Sequence, residues 1–427
     1  MVIGKFISKV LSASKINQRL GNISIYNQND TTNFFDKVEL KGAGHPDTLA
    51  DALASFLSRK YSIYTIEHFG AILHHNFDKI GLMGGRAEVS FGIGTIISPI
   101  RVLLNGRASD VFGETVIPLD NLLISWTKEF FKSKLPILDV DNDLRIMYEV
   151  SPGSSPGQVC SDGGDNKRLH WFKPRNIEDL GYLKNLVSND TSTGVSYSPL
   201  SLTDGIVQSI EKKLNSQSYK KDKSWLGSDI KITATRHDKN LSMTACIPQI
   251  AKYVFSLDAY KNNLDLIRRE IRSIIASIDD SLYLDLELNT RDKYDSVELY
   301  LTVTGSSIEM GDEGFVGRGN RGNGLINMNQ VYSMEGASGK NPVYHVGFIY
   351  TECANRIANR LSNELNCLVD VFLTSQSGRS LIDPKDTTVI IHNNSFDEAI
   401  IRKLIIEELE LIPLITKDFL NNKVELY

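Results

Sequence analysis

The sequence predicts an α+β protein, with mixed or antiparallel sheets rather than a doubly wound parallel one. Three observations carry this. Period-two segments lie next to each other, as in GSDIKITATR followed by NLSMTACI, and LYLDLELNT followed by SVELYLTVTG. Stripes of apolar residues at helical spacing separate these pairs. The strands do not alternate singly with helices, as a parallel sheet with crossovers requires.

Residues 1–36 read as a leader ending in the polar run QNDTTN. After LKGAGHPD, Leu49, Ala52, Leu53, Phe56 and Leu57 mark a helix that buries one face. AILHHNFDKIGLMGG and TIISPIRVLLNGRAS read as strands joined by Gly-rich turns, and 121–134 as an amphipathic helix carrying Leu122, Trp126 and Phe130. SPGSSPGQVCSDGGDNKR, residues 151–168, is the best candidate for a linker or mobile loop. A helix in SLTDGIVQSIEKKLNS starts near Thr203 or Asp204. A long helix over about 258–278 has its stripe at Leu264, Ile267, Ile271, Ile274 and Ile278. A Gly-rich block at 311–341, a helix from about 342, the strand LVDVFLT and an acidic amphipathic helix complete the chain. The linear division is a leader (1–36), an N-terminal unit (37–145), a central unit (146–256) and a C-terminal unit (257–427), with segments free to interleave.

The chain has 427 residues, 47 Lys plus Arg and 52 Asp plus Glu, for a net charge of -5. A generic nucleic-acid binder is basic, so no broad nucleic-acid surface is expected and any phosphate chemistry needs a local cationic site. No apolar run reaches membrane-spanning length. Cys160, Cys246, Cys353 and Cys367 include no C-x-x-C pair, which fits reduced thiols in a cytoplasmic protein with no membrane partner.

Three constellations carry candidate chemistry. In LKGAGHPDTLAD, Pro46 suits the first helical position, which puts His45 at a helix N-terminus where backbone N–H groups favour an anion. His45 adds a donor to a phosphate oxygen, and the Asp47 oxygens suit a hard cation. The same residues equally describe a plain helix cap. In TGSSIEMGDEGFVGRGNRGNGLI, the G-x-G-x-x-G at Gly317, Gly319 and Gly322 is not followed by a helix, so it is not a dinucleotide fingerprint. Acidic Asp312 and Glu313 share this loop with basic Arg318 and Arg321, a mixture suited to a metal or ammonium group beside phosphates; the plainer alternative is a solvated charged turn. SMEGASGKNPVYHVGFIY is not a Walker A loop, because position 334 is Met and position 341 is Asn. Asn341 and Pro342 instead read as the cap and start of a helix, with Lys340 beside it. Two cationic side chains at two helix N-termini suggest one large polyanion bridging both. His74 and His75, adjacent on a strand, point to opposite faces and do not chelate. Asp229 and Lys231, two apart, share a strand face.

Taken in order, KGAGHPD, LHHNFDK, NDTSTGVSYSPLS, GSDIK, VTGSSIEMGDEGFVGRGNRGNGLI and SMEGASGKNPVYHVG resemble the S-adenosylmethionine synthetase family, in its archaeal-type branch, from about 38 to about 385. The resemblance implies three structurally similar α+β domains in a pseudo-threefold arrangement. It implies that ATP and L-methionine give S-adenosylmethionine, with the released triphosphate cleaved to phosphate and diphosphate. It implies Mg2+, in many members a monovalent cation such as K+, and a homodimer with shared active sites, a tetramer being the larger alternative. Carried over, His45 and Lys340 contact the triphosphate, Asp47 ligates Mg2+, Asp229 holds the ribose, Lys231 and Arg318 bind phosphates, and Asp312 meets the methionine amine. Asp190 matches a family acid of the adenosyl and methionine region; Asn320, Arg321, Asn341 and His345 match family blocks and are taken as substrate-binding.

Departures from the family pattern fall at Phe348 (usually Lys), Phe77 (usually Thr), Thr193, Glu313 and Arg86, the last where the bacterial type has a potassium-linked acid. The segment 151–175 matches poorly. Phe77 and Phe348 support the alternative, a non-catalytic or specialised nucleotide-binding relative. An unrelated phosphohydrolase is a third reading.

Overall fold

The computed structural model describes residues 2–13, 22–28, 35–153, 169–393 and 395–427. The 154–168 part of the expected mobile loop, and Cys160 within it, lie outside the described residues.

Three mixed sheets of four or five strands organise the chain, each covered by helices. One runs Asn22–Asn27, Asp386–Ile391, Val369–Thr374, Thr193–Ser198. A second runs Leu144–Ser151, Ile100–Ala108, Gly81–Met83, Gly314–Phe315, with His75–Asn76 paired to Ile100–Ala108. The third runs Tyr283–Leu288, Asn240–Cys246, Lys231–His237, Phe35–Lys41, Ile326–Asn327. Each sheet joins segments far apart in sequence: Phe35–Lys41 lies antiparallel to Lys231–His237, and Thr193–Ser198 antiparallel to Val369–Thr374.

The segment read as a leader is part of this body. Helix Val2–Ala13 buries Phe6, Ile7 and Val10, and Asn22–Asn27 pairs in parallel with Asp386–Ile391. The reading failed because the partners of these residues are about 360 positions downstream, beyond the reach of any local pattern.

Helix Pro46–Phe69 is the central post. Pro46 starts it, and Gly70 ends it in the left-handed conformation, donating its N–H to Ile66. Leu49, Leu53, Leu57 and Tyr61 are fully buried, and Ser58, Ser62 and Thr65 are buried as well, because other elements cover more than one side. Helix Leu202–Asn215 begins in a reciprocal cap between Ser201 and Asp204. Helix Leu257–Ile278 buries Tyr260, Leu264, Ile267, Ile271 and Ile275. The expected Ile278 is instead 41% exposed, as its position in the terminal turn allows. The helix expected from 342 begins at Val346 and is capped by His345; Val346, Tyr350, Cys353 and Ile357 are its buried stripe as expected. The acidic C-terminal stretch forms two helices, Glu398–Glu410 and Ile412–Leu420, broken before Pro413. No helix among the described residues is long and apolar enough to cross a membrane.

Candidate functional site

His45 closes the N-terminus of the central helix. Its Nδ1 accepts the Asp47 N–H at 3.2 Å. Burial holds the imidazole below its ordinary range, against the pull of the Asp229, Asp47 and Asp312 carboxylates. A neutral ring with Nδ1 accepting carries its proton on Nε2, available as a donor.

Asp47 is held from two sides: Lys41 Nζ lies 2.8 Å from Oδ2, and the Phe315 N–H donates to Oδ1 at 3.0 Å. The Gly-rich loop is thus laid against the helix start. A Cβ at Gly314 would sit on the Pro46 carbonyl, so that approach requires glycine. Lys41 Nζ also donates to the Arg318 carbonyl at 2.7 Å, and Asn320 clamps the Lys41 backbone, accepting its N–H at 3.0 Å and donating to its C=O at 2.9 Å. The Arg318 side chain is exposed, and no side-chain partner is found for it among the described residues. Arg321 donates to the Gly317 carbonyl at 2.8 Å and lies over the Tyr332 ring.

Asp229 and Lys231 do not form the expected pair on one strand face. Asp229 precedes the strand, is buried, and accepts from the N–H (2.8 Å) and hydroxyl of Ser307. Lys231 pairs with Glu39 across the sheet at 3.2 Å. Ser307 Oγ also reaches Asp312 Oδ2 at 3.0 Å, which connects the loop acid to Asp229. His45, Asp47, Asp229, Lys231, Asp312, Arg318 and Asn320 thus surround one helix N-terminus.

Lys340 belongs to a second cluster. Its carbonyl accepts from Ser58 Oγ at 3.1 Å. Ser58 lies 12 residues along the helix from Pro46, about 18 Å of axial rise, so the Lys340 backbone sits well down the helix from His45. Lys340 is buried and ion-paired to Glu335. Burial draws its ammonium down to about 8. Although the helix begins later than expected, Lys340 Nζ still reaches its first turn: a Cβ at Gly347 would lie 2.5 Å from it. His345 repeats the arrangement of His45, its Nδ1 accepting the Gly347 N–H at 3.3 Å, and burial and the Lys340 charge keep it neutral. Asp78, Lys79, Arg107 and Asp190 lie close enough to act on these two residues. Asn341 caps a tight turn rather than the helix, accepting from Val343 N–H at 3.0 Å and donating to the Leu73 carbonyl at 3.2 Å.

The sequence reading did not single out Lys41, Glu39, Ser307, Lys79, Arg107 or Glu335. Lys41, Lys79, Arg107, Ser307 and Glu335 lie inside quoted segments, whereas Glu39 shows no signal beyond its pairing. Asp51, also missed, accepts the Gly317 N–H at 2.9 Å and takes a further bond from Ser338, tying both Gly-rich segments to the central helix. Burial pushes it up from 3.8 to about 6. A folded chain that holds this proton while the unfolded chain has released it loses stability as pH rises from 4 to 6, by up to about 3 kcal/mol, and does not regain it above. Asp51→Asn is therefore expected to melt higher than the parent at pH 8, with the gap closing towards pH 4; thermal melts across that range test it.

Of the departures from family pattern, Glu313 lies in the His45 cluster, exposed on the loop with its N–H donating to Asp312 Oδ1 at 2.9 Å, and the other four have packing or pairing partners of their own. Phe77 is buried edge-on against Tyr61, and Phe348 is buried against Phe419 with ring centroids 4.9 Å apart. Thr193 bonds Thr374 across a sheet pairing, and Arg86 is exposed beside Glu88 at 3.6 Å. His75 is a core residue bonded to Ser58, and His74 stacks on Tyr344.

The fold and site define a class: an α+β protein that sets neutral histidines, lysines and carboxylates at two helix N-termini. The S-adenosylmethionine synthetase (AdoMet synthetase) family matches residues 22–423. An S-adenosylmethionine synthase of Pyrobaculum neutrophilum is 35% identical over 404 residues, covering 91% of this chain and 95% of its own. Another, from Methanocaldococcus jannaschii, is 38% identical over 372 residues, covering 84% and 86%. An S-adenosylmethionine synthetase structure from Campylobacter jejuni shares the fold, with a TM-score of 0.51 at 13% identity over 90% of this chain and 88% of that one. The chain belongs to the S-adenosylmethionine synthetase family.

Proposed function

We propose that this protein is a methionine adenosyltransferase, converting ATP, L-methionine and water to S-adenosylmethionine, phosphate and diphosphate. The observation that carries the reading is the convergence of His45, Asp47, Asp229, Lys231, Asp312 and Arg318 on one helix N-terminus in a member of this family. The thioether sulfur attacks C5′ without deprotonation, so no general base is needed. The difficulty is the departing triphosphate, and the chain's task is to align the reactants and supply positive charge. His45 Nε2–H donates to a phosphate oxygen as the C5′–O bond breaks. Lys231 and Arg318 hold the phosphates, Asp229 the ribose and Asp312 the methionine ammonium. At about 4 Å and an effective dielectric near 20, each such charge pair is worth roughly 4 kcal/mol before desolvation.

The arrangement suits a divalent ion that arrives with the nucleotide. No group of three or more His, Cys, Asp or Glu among the described residues forms a ready cage. Around His45, however, Asp47, Asp229, Asp312 and Glu39 outnumber Lys41, Lys231 and Arg318, so a polyanion needs added cations to enter. Magnesium typically binds one or two carboxylates plus substrate phosphates, and Asp47 is the ligand this site offers. When bound, it would neutralise phosphate charge. A monovalent ion such as K+ finds an arginine at position 86 instead of an acid.

Lys340, His345 and Asp190 form a cluster further along the central helix than His45. A homodimer that sets one chain's Lys340 cluster against the partner's His45 cluster unites them. Asn320 spends its amide on the Lys41 backbone and Asn341 on the Leu73 and Val343 backbone, so both serve as positioning residues, whereas Arg321 bonds the Gly317 carbonyl and keeps a buried Nε without a partner among the described residues. The alternative of a non-catalytic relative rested on Phe77 and Phe348, and both are core residues. Incubation with ATP, Mg2+ and labelled methionine should yield a sulfonium product. Nucleotide binding without turnover would favour the non-catalytic relative, and methionine-independent phosphate release a phosphohydrolase.

A further inference from the structure

We propose that Lys41 is an additional triphosphate-binding residue of the His45 cluster, an inference that takes its ligand from the adenosyltransferase reading. Lys41 is the antiparallel register partner of Lys231, so the two lysines stand directly opposite on one sheet face. Like charges so placed repel unless an anion lies between or beside them. Glu39 answers Lys231 and Asp47 answers Lys41, each with one carboxylate.

The position of Lys41 is fixed closely for a surface lysine. Its side chain is 13% exposed. Its carbonyl accepts from both Asn320 Nδ2 and Thr48 Oγ1 at 2.9 Å, and its N–H is taken by Asn320 Oδ1. An ammonium group has three N–H donors. One goes to Asp47 and one to the Arg318 carbonyl, which leaves a third. These two contacts place the charge between the proposed magnesium ligand and the backbone of the loop that carries Arg318. A polyphosphate lying between Asp47 and the Arg318 loop would pass the Lys41 ammonium, and the third N–H would donate to it.

The test separates a charge that touches phosphate from a side chain that only pins Asp47 and the loop. Inorganic tripolyphosphate binding is measured by calorimetry with Mg2+ in fixed excess, across a series of salt concentrations, for the parent, Lys41→Gln and Lys41→Arg. Gln keeps a donor for Asp47 but no charge. We expect at least a tenfold weakening and a shallower salt dependence for Lys41→Gln, and binding within about threefold of the parent for Lys41→Arg. Parent-like affinity and salt dependence in Lys41→Gln overturn the proposal, as does a parent that does not bind tripolyphosphate. Should Lys41→Gln not fold, reductive methylation of the unmodified protein decides: tripolyphosphate should slow labelling of Lys41 at least fivefold, and unchanged labelling overturns the assignment. Failure to form a sulfonium product would sink the adenosyltransferase reading alone, because these measurements require no turnover.

Discussion

Lys340→Ala is expected to lower kcat/KM by about 10²–10³, the effect typical of removing one preorganised donor from developing charge. Lys340 is nearly fully buried, faces the first turn of a helix and stands among Asp78, Lys79 and Asp190. Its loss leaves Glu335 without its partner, but that side chain is 28% exposed and can rehydrate, so the fold should survive. Arginine should not rescue the rate: Lys340 Nζ already lies 2.5 Å from where a Cβ on Gly347 would stand, leaving no room for a guanidinium. Steady-state kinetics with a circular-dichroism melt of each variant separate activity from stability. An unchanged rate in the alanine variant would remove Lys340 from the mechanism.

Phe348→Lys, which restores the residue usual in the family, is expected to destabilise this protein by about 3–5 kcal/mol. The Phe348 ring is 4% exposed and packs edge-on against Phe419 of the last helix. Phe419 in turn lies under the Arg59 guanidinium, and its carbonyl accepts from Arg59 Nε at 3.1 Å. A lysine here loses the ring contact and brings an ammonium into an apolar seat that has adapted to phenylalanine. Urea unfolding measures the change. Parent-like stability would mean that the C-terminal helix docks without this contact.

Much of the site was legible because its residues lie in short, chemically loaded motifs. His45-Pro46-Asp47 announces a helix start, and Asp312 and Arg318 share a loop too rich in glycine to be a simple connector. What the sequence could not display was partnership across distance. Lys41 and Lys231 become neighbours only through a strand pairing that spans 190 positions. Asp51 looks like an ordinary helix residue until two Gly-rich loops donate to it. The helix start near 342 was misplaced because Asn341-Pro342 is as good a cap for a tight turn as for a helix, and the next residue able to accept from a helical N–H is His345. Phe77 and Phe348 read as losses of function in a motif comparison, whereas packing makes them structural.

The strand Asn22–Asn27 has a consequence for biosynthesis. Its pairing partner, Asp386–Ile391, leaves the ribosome some 360 residues later. At about 5–20 residues per second, the early strand waits roughly 20–70 s with its edge unsatisfied. The nascent chain therefore cannot finish its first-made sheet during most of translation. Pulse-labelled chains arrested before residue 386 are therefore expected to aggregate more readily than full-length chains.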